Sequence, residues 1–173
     1  MGYTHYWTQN IQSRKLWREN EDTINEWARK IVKPFEGILD DVRIGPGFIN
    51  FNGRGEYSHE DFGIDVRGRD WDFCKTARKP YDVPVCMCLL VLLGYTGFEL
   101  SSDGFGSSRS ETDVLDSGRR VLNSNHQWYE PISQLRQLGF TVNVSLDEQE
   151  DSTYFDMVVE VIPPQTTEGE SNE

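Results

Sequence analysis

Residues 82–94 read Asp82-Val83-Pro84-Val85-Cys86-Met87-Cys88-Leu89-Leu90-Val91-Leu92-Leu93-Gly94, and the fold turns on how this stretch is understood. From 83 to 93 every side chain is apolar, so no helical face suits water and the segment is expected to be a helix buried on all sides. Asp82 stands as its N-cap. Pro84 lies in the first turn, where its missing N–H costs nothing, and Gly94 is expected to close the helix. Eleven residues are too few for a membrane span, which needs about 20. A helix of this kind needs other elements to cover it.

Upstream, residues 38–72 read as strands. Gly45-Pro46-Gly47 is a turn, Phe48-Ile49-Asn50-Phe51 a short strand, and Asn52-Gly53 the strongest short hairpin signal. Residues 57–66 and 70–75 give two further strands. Earlier still, Thr23-Ile24-Asn25-Glu26 fits a capping box. Ile24, Trp27, Ala28, Ile31, Val32 and Phe35 then follow at helical spacing until Pro34 and Gly37 interrupt. The opening MGYTHYWTQN alternates as a first strand, with Tyr3, His5 and Trp7 on one face and Thr4 and Tyr6 on the other.

Downstream, Phe98-Glu99-Leu100-Ser101 reads as a strand and residues 102–108 as a polar loop. Residues 111–123 read as a helix weakened by Gly118, and 131–138 as a better one that starts at Pro131 and stops at Gly139. Residues 141–145 and 154–162 alternate as strands paired across the acidic loop 147–151. The regular βαβα alternation of a doubly wound sheet is missing. The expected class is α+β: a single domain over residues 1–164, with one mostly antiparallel sheet, helices packed on one face and one fully buried central helix. Residues 165–173 are expected to form a disordered acidic tail.

The formal charge of −12 over 173 residues is unevenly placed. Of the 29 acids, nine fall in residues 147–173, which hold no Lys or Arg, leaving 20 acids against 17 bases elsewhere. Such an acidic end repels phosphate backbones and argues against broad nucleic-acid binding. It also offers an acidic surface to a partner's basic groove. The three cysteines, Cys74, Cys86 and Cys88, are an odd number, and two lie inside the apolar run. They read as buried packing residues of a reducing, cytoplasmic compartment. On a helix Cys86 and Cys88 face about 200° apart and cannot share a metal. The N-terminus has no basic region leading into an apolar stretch, so no secretory signal is expected. No metal and no cofactor are expected.

Chemistry concentrates before the apolar helix. Lys75, Arg78 and Lys79 are the one dense group of cations. With the hydroxyl of Thr76, the ring of Tyr81 and the free amides of a helix N-terminus, they suit a phosphate or carboxylate. The plainer alternative pairs them with Asp70, Asp72 and Asp82. Tyr3, Tyr6 and Trp7 offer rings to stack a base, while His5 and His59 offer polar edges. His59 and Asp61 share a strand side and form the candidate acid–base pair. Asp103, Ser107, Ser108 and Arg109 sit in a loop able to close over a ligand. No hydrolase, phosphate-loop or metalloprotease motif is present, and no catalytic residue is assigned.

The opening MGYTHYW, the segment His59-Glu60-Asp61-Phe62, and the run DFCKTARKPYDVPVCMCLLVL followed by GFELSSDG resemble a group of small bacteriophage and prophage proteins of unknown function. The resemblance covers roughly residues 1–8 and 57–105. It implies a protein of the cytoplasm of an infected bacterial host, in a setting where small proteins often antagonise host defence. The leading expectation is a binding protein that sequesters a small anionic, nucleotide-like ligand. Two alternatives stand beside it: an acidic inhibitor of a host defence protein, and a phosphoester hydrolase using His59 and Asp61. No membrane partner is expected, and homo-oligomerisation is left open.

Overall fold

Aromatic and β-branched residues at the opening extend into strand β1 (Thr4–Thr8) of the structure, a computed structural model that describes residues 2–148 and 153–165. Asn10 then caps a helix that apolar spacing did not announce, α1 (Ile11–Glu19). The Asn10 side chain accepts from the Ser13 amide and the Ser13 hydroxyl accepts from the Asn10 amide, both at 2.8 Å. This reciprocal pair is the capping box, and the one expected at Thr23 does not form. Helix α2 (Glu21–Val32) starts two residues before Thr23, which places Thr23 inside the first turn. Its expected apolar stripe is buried at Ile24, Ala28, Ile31 and Val32, and Pro34 lies in a 3-10 turn that ends it.

Strands β2 (Leu39–Gly45), β3 (Phe48–Gly53) and β4 (Phe62–Asp65) form an antiparallel meander. Pro46 and Gly47 make the first turn, with Gly47 at φ +74°. Asn52-Gly53 is not a hairpin turn but the end of β3. A Cβ on Gly53 would run into the Tyr57 carbonyl oxygen, so this glycine answers to close approach of the chain. Most of the expected strand 57–66 is a 3-10 turn and loop, and only β4 is extended. Strand β5 (Trp71–Lys75) leads to helix α3 (Asp82–Thr96).

Helix α3 packs against α1, α2 and elements further along the chain. Residues 84–92 are all buried, whereas Val83 and residues 93–95 are half-buried, so burial is not complete along the helix. Gly94 does not end it. The C-cap is Gly97 at φ +63°, and Gly94 is a packing glycine whose added Cβ would meet Val161 at 2.9 Å and Pro163 at 3.3 Å. Strands β6 (Glu99–Ser102) and β7 (Gly106–Ser108) follow. The helix expected over 111–123 is instead a hairpin of β8 (Thr112–Val114) and β9 (Arg120–Leu122), turning at Gly118 with φ +81°. The apolar pairs there, 114–115 and 121–122, lie seven residues apart and would fit one helical stripe, but Gly118 takes a left-handed conformation that turns the chain back on itself. Helix α4 (Tyr129–Gln137) and the long pair β10 (Thr141–Glu148) and β11 (Tyr154–Ile162) complete the chain.

The architecture is α+β, but the expected single sheet is divided. Three antiparallel sheets run β5-β1-β6, β2-β3-β4 and β10-β11-β7, with the β8-β9 hairpin apart. Most strands are three to seven residues long and helices intervene between partners, so no common sheet propagates. One continuous core nonetheless joins α2, α3, α4, the meander and β11. All but the first residue of the expected acidic tail 165–173, and most of the acidic loop 147–151, lie outside the described residues. Among the described residues no helix is long and apolar enough to cross a membrane.

Leu90 is fully buried in the middle of α3. Leu90→Ala should cost about 2–5 kcal/mol in urea unfolding, through lost transfer energy plus a cavity. Burial also pushes the thiols of Cys74, Cys86 and Cys88 above their ordinary values. A thiol reagent added to native protein should therefore label none of the three on the timescale that labels the urea-unfolded chain.

Candidate ligand-binding face

Period-two alternation divides β1 between the two sides of its sheet. Tyr3, His5 and Trp7 are buried, and Tyr6 points to the other, water-facing side. On β5 the same alternation sends Trp71, Phe73 and Lys75 outward and buries Cys74. The register sets Phe73 opposite Tyr6, Trp71 opposite Thr8 and Lys75 opposite Thr4, with Ser101 of β6 flanking Tyr6 on its far side.

Three rings thus meet on an open surface. Tyr6 and Trp71 lie stacked with centroids 6.2 Å apart, Trp71 and Phe73 are 5.4 Å apart, and Tyr6 and Phe73 are 6.5 Å apart. Trp71 is 53% exposed and Phe73 37%. The Lys75 ammonium lies 5.8 Å from the Phe73 ring centre, and the Tyr6 hydroxyl donates to Asp103 at 3.2 Å. Aromatic faces of this size are normally buried, so a cluster turned to water is an exposed apolar patch and a candidate binding surface. Trp71 and Phe73 were not among the residues expected from sequence. The signal was present in the alternation Trp71-x-Phe73-x-Lys75, but their common ground with Tyr6 depends on the β1–β5 register.

Behind this sheet lies a buried polar cluster. The Asp82 carboxylate meets His5 Nε2 at 2.7 Å and Gln127 Nε2 at 3.1 Å, and accepts from the Thr76 hydroxyl. Burial by itself would raise the Asp82 carboxyl. The hydrogen bonds from His5, Thr76 and Gln127 outweigh it and hold the group below the ordinary carboxylate value. Cys86 Sγ lies 3.5 Å from His5 Nε2 and 3.6 Å from Asp82, and burial followed by that carboxylate keeps its thiol protonated.

His5 Nδ1 meets Ser102 Oγ at 2.9 Å. Ser102 Oγ already accepts from the Gly104 amide at 3.0 Å and the Trp128 indole at 3.4 Å. Both ring nitrogens of His5 are thereby held, Nδ1 against this serine and Nε2 against the Asp82 carboxylate. Ser102, His5 and Asp82 stand in the serial order of an acyl-transfer triad. However, both lone pairs of the serine are committed to donors, which leaves none to attack a carbonyl. His5, Asp82 and Cys86 also place three metal-ligating atoms within 4.8 Å of one another, but in this geometry each satisfies its neighbours.

The residues expected at an anion site separate accordingly. Thr76 and Tyr81 are buried, the first on Asp82 and the second donating to the Glu60 carbonyl at 2.6 Å. The start of α3 carries its own carboxylate, Asp82, which is turned inward and does not act as N-cap; Tyr81 holds that position. An outside anion is therefore not invited there. Tyr3, His5 and Trp7 are buried and cannot stack a ligand from solvent, Trp7 lying against Phe62 with centroids 5.9 Å apart. Arg78 is exposed, its guanidinium 4.9 Å from the Tyr3 ring centre, and Lys79 donates to the Glu56 carbonyl at 3.0 Å. His59 Nδ1 meets the Lys75 carbonyl at 2.8 Å, while Asp61 accepts from Asn52 at 2.7 Å. The loop expected to close over a ligand is tied down: Ser107 is buried, Ser108 and Glu111 form a capping box, and Arg109 pairs with Glu148. Of the expected set, Tyr6 and Lys75 remain on the aromatic face.

No protein-family model matches the chain, and no curated protein or solved structure is significantly similar to it.

The buried cluster makes a pH dependence. Burial first of all depresses His126, whose Nδ1 accepts the Trp128 amide. His126 and Asp82 both bind protons less readily folded than unfolded, so stability falls with pH below about 6.5 for the first and below about 3.9 for the second. Urea midpoints measured from pH 8 to pH 3 should decline through both windows. Asp82→Asn should cost at least about 1.5 kcal/mol at pH 7 and flatten the lower decline.

Proposed function

We propose that this chain binds a small planar anion of the nucleotide class on the water-facing side of the β5-β1-β6 sheet. The observation that carries the reading is the cluster of Tyr6, Trp71 and Phe73 with Lys75 at its end. A base stacks on the rings, and the ammonium meets the phosphate. Two features favour a mononucleotide or short strand over duplex. The chain carries a net charge of −12, which opposes long polyanions, and Glu99 and Asp103 flank the face. Binding without turnover is the simplest role, since His59 and Asp61 are engaged by different partners. In the phage setting that the resemblance implies, holding such a ligand out of solution would blunt a host signal without any chemistry.

Of the five tryptophans, Trp7, Trp17 and Trp128 are buried and Trp27 is half-buried, so in a Trp27→Phe background quenching of exposed tryptophan emission reads Trp71. Titration with adenosine 5′-monophosphate should quench this emission to saturation. Trp71→Ala, read by titration calorimetry because it lacks the reporter ring, should weaken binding by about 5- to 150-fold, the equivalent of one lost stacking contact. Lys75→Ala should weaken the nucleotide but not adenosine. Unchanged emission at millimolar nucleotide, in a protein that melts normally, would sink the reading.

A further inference from the structure

β10 is the edge strand of its sheet. The Val142 carbonyl turns away from β11, because it accepts from the Arg136 guanidinium at 2.6 and 3.2 Å. Backbone groups of alternate residues share a side in an antiparallel strand, so the amides and carbonyls of Val144 and Leu146 point along the same outer edge. Among the described residues nothing pairs with them.

β9 presents a second such edge. The Leu115 amide donates to the Arg119 carbonyl and the Asn123 amide to the Glu111 carbonyl. The odd-numbered residues therefore bond within the hairpin, and the backbone groups of Arg120 and Leu122 face away from β8. β9 lies beside β10 without hydrogen-bonding to it. Between them run two adjoining cavities of about 300 and about 560 Å³ that share Arg119, Val144 and Ser145. Leu122, Ile132 and Val144 give the first an apolar floor, while Arg119 and Arg136 give it positive charge in an otherwise acidic protein. The Arg119 guanidinium has no partner among the described residues.

We propose that this trough receives an extended, acidic peptide segment of a partner protein, which adds to the β10 edge as a further strand. Main-chain pairing with Val144 and Leu146 holds the segment, its apolar side chains cover the floor, and its carboxylates meet Arg119 and Arg136. The unpaired β10 edge calls for a backbone, and the arginines call for acidic side chains. The site is separate from the aromatic face and does not rest on the nucleotide reading.

The probe is a fluorescein-labelled, end-capped hexapeptide of alternating glutamate and valine, read by fluorescence anisotropy against the full chain. Saturable binding is expected. Arg119→Glu should weaken it at least tenfold, and so should N-methylation of alternate peptide amides. Val144→Pro removes an outward amide that bonds to nothing in the described protein, and should abolish binding while the aromatic face keeps its properties. Should that variant fail to fold, the N-methylated peptide carries the same test. The proposal is overturned if the parent peptide does not bind, if the N-methylated peptide binds equally well, or if a lysine–valine version binds as tightly.

Discussion

The carboxylate of Asp82 is 1% exposed, and bringing an anion into such a place costs free energy that the surroundings must offset. Three segments do so, around a carboxylate carried in the first turn of α3. His5 comes from β1, Thr76 from the turn after β5 and Gln127 from the approach to α4. Removing any one leaves donors or the charge unmatched, and that penalty exceeds the net gain of an ordinary hydrogen bond. The network is therefore a condition on the fold: β1, α3 and the segment before α4 have one relative arrangement in which this group is satisfied. The turn that delivers Thr76 even accepts left-handed backbone at Ala77 and Arg78, with φ of 51° and 56°, where non-glycine residues are uncommon.

The same five-residue strand serves both sides. His5 anchors the buried cluster while its neighbour Tyr6 stands among the outward rings. Rigidity beneath is what lets the outer face keep three aromatic side chains in fixed relation without a core to lock them. A ligand that stacks there meets a surface already arranged, and loses little to ordering it.

Legibility in the sequence followed locality. That residues 83–93 form a largely buried helical segment was plain, because eleven apolar residues leave no face for water, although Val83 and Leu93 at its ends are half-buried. Its end was not, since Gly94 is small to admit Val161 and Pro163, nearly 70 residues on. Helix α1 was hidden because only Ser13 and Trp17 of its nine residues are buried, leaving no stripe to detect. Its reciprocal Asn10–Ser13 cap is the one local mark of its start. The hairpin at 112–122 reads as a helix because three-residue strands are too short to display a period. At the site, alternation correctly set Tyr6 apart from Tyr3, His5 and Trp7. The step from there to Trp71 and Phe73 required the strand register. The partner of His5, 77 positions away, was beyond any local pattern.

The position of β1 also bears on how the chain is made. It is the middle strand of its sheet, yet its partners are residues 71–75 and 99–102. On a ribosome adding about 5–20 residues per second, the first strand waits on the order of 5–20 s before its second neighbour has been synthesised. Contacts this distant in sequence also slow folding once the chain is free. During that interval a segment with two unpaired edges and three aromatic or imidazole rings, His5, Tyr6 and Trp7, is exposed. Strand β1 is thus the part of this protein most dependent on protection from premature association.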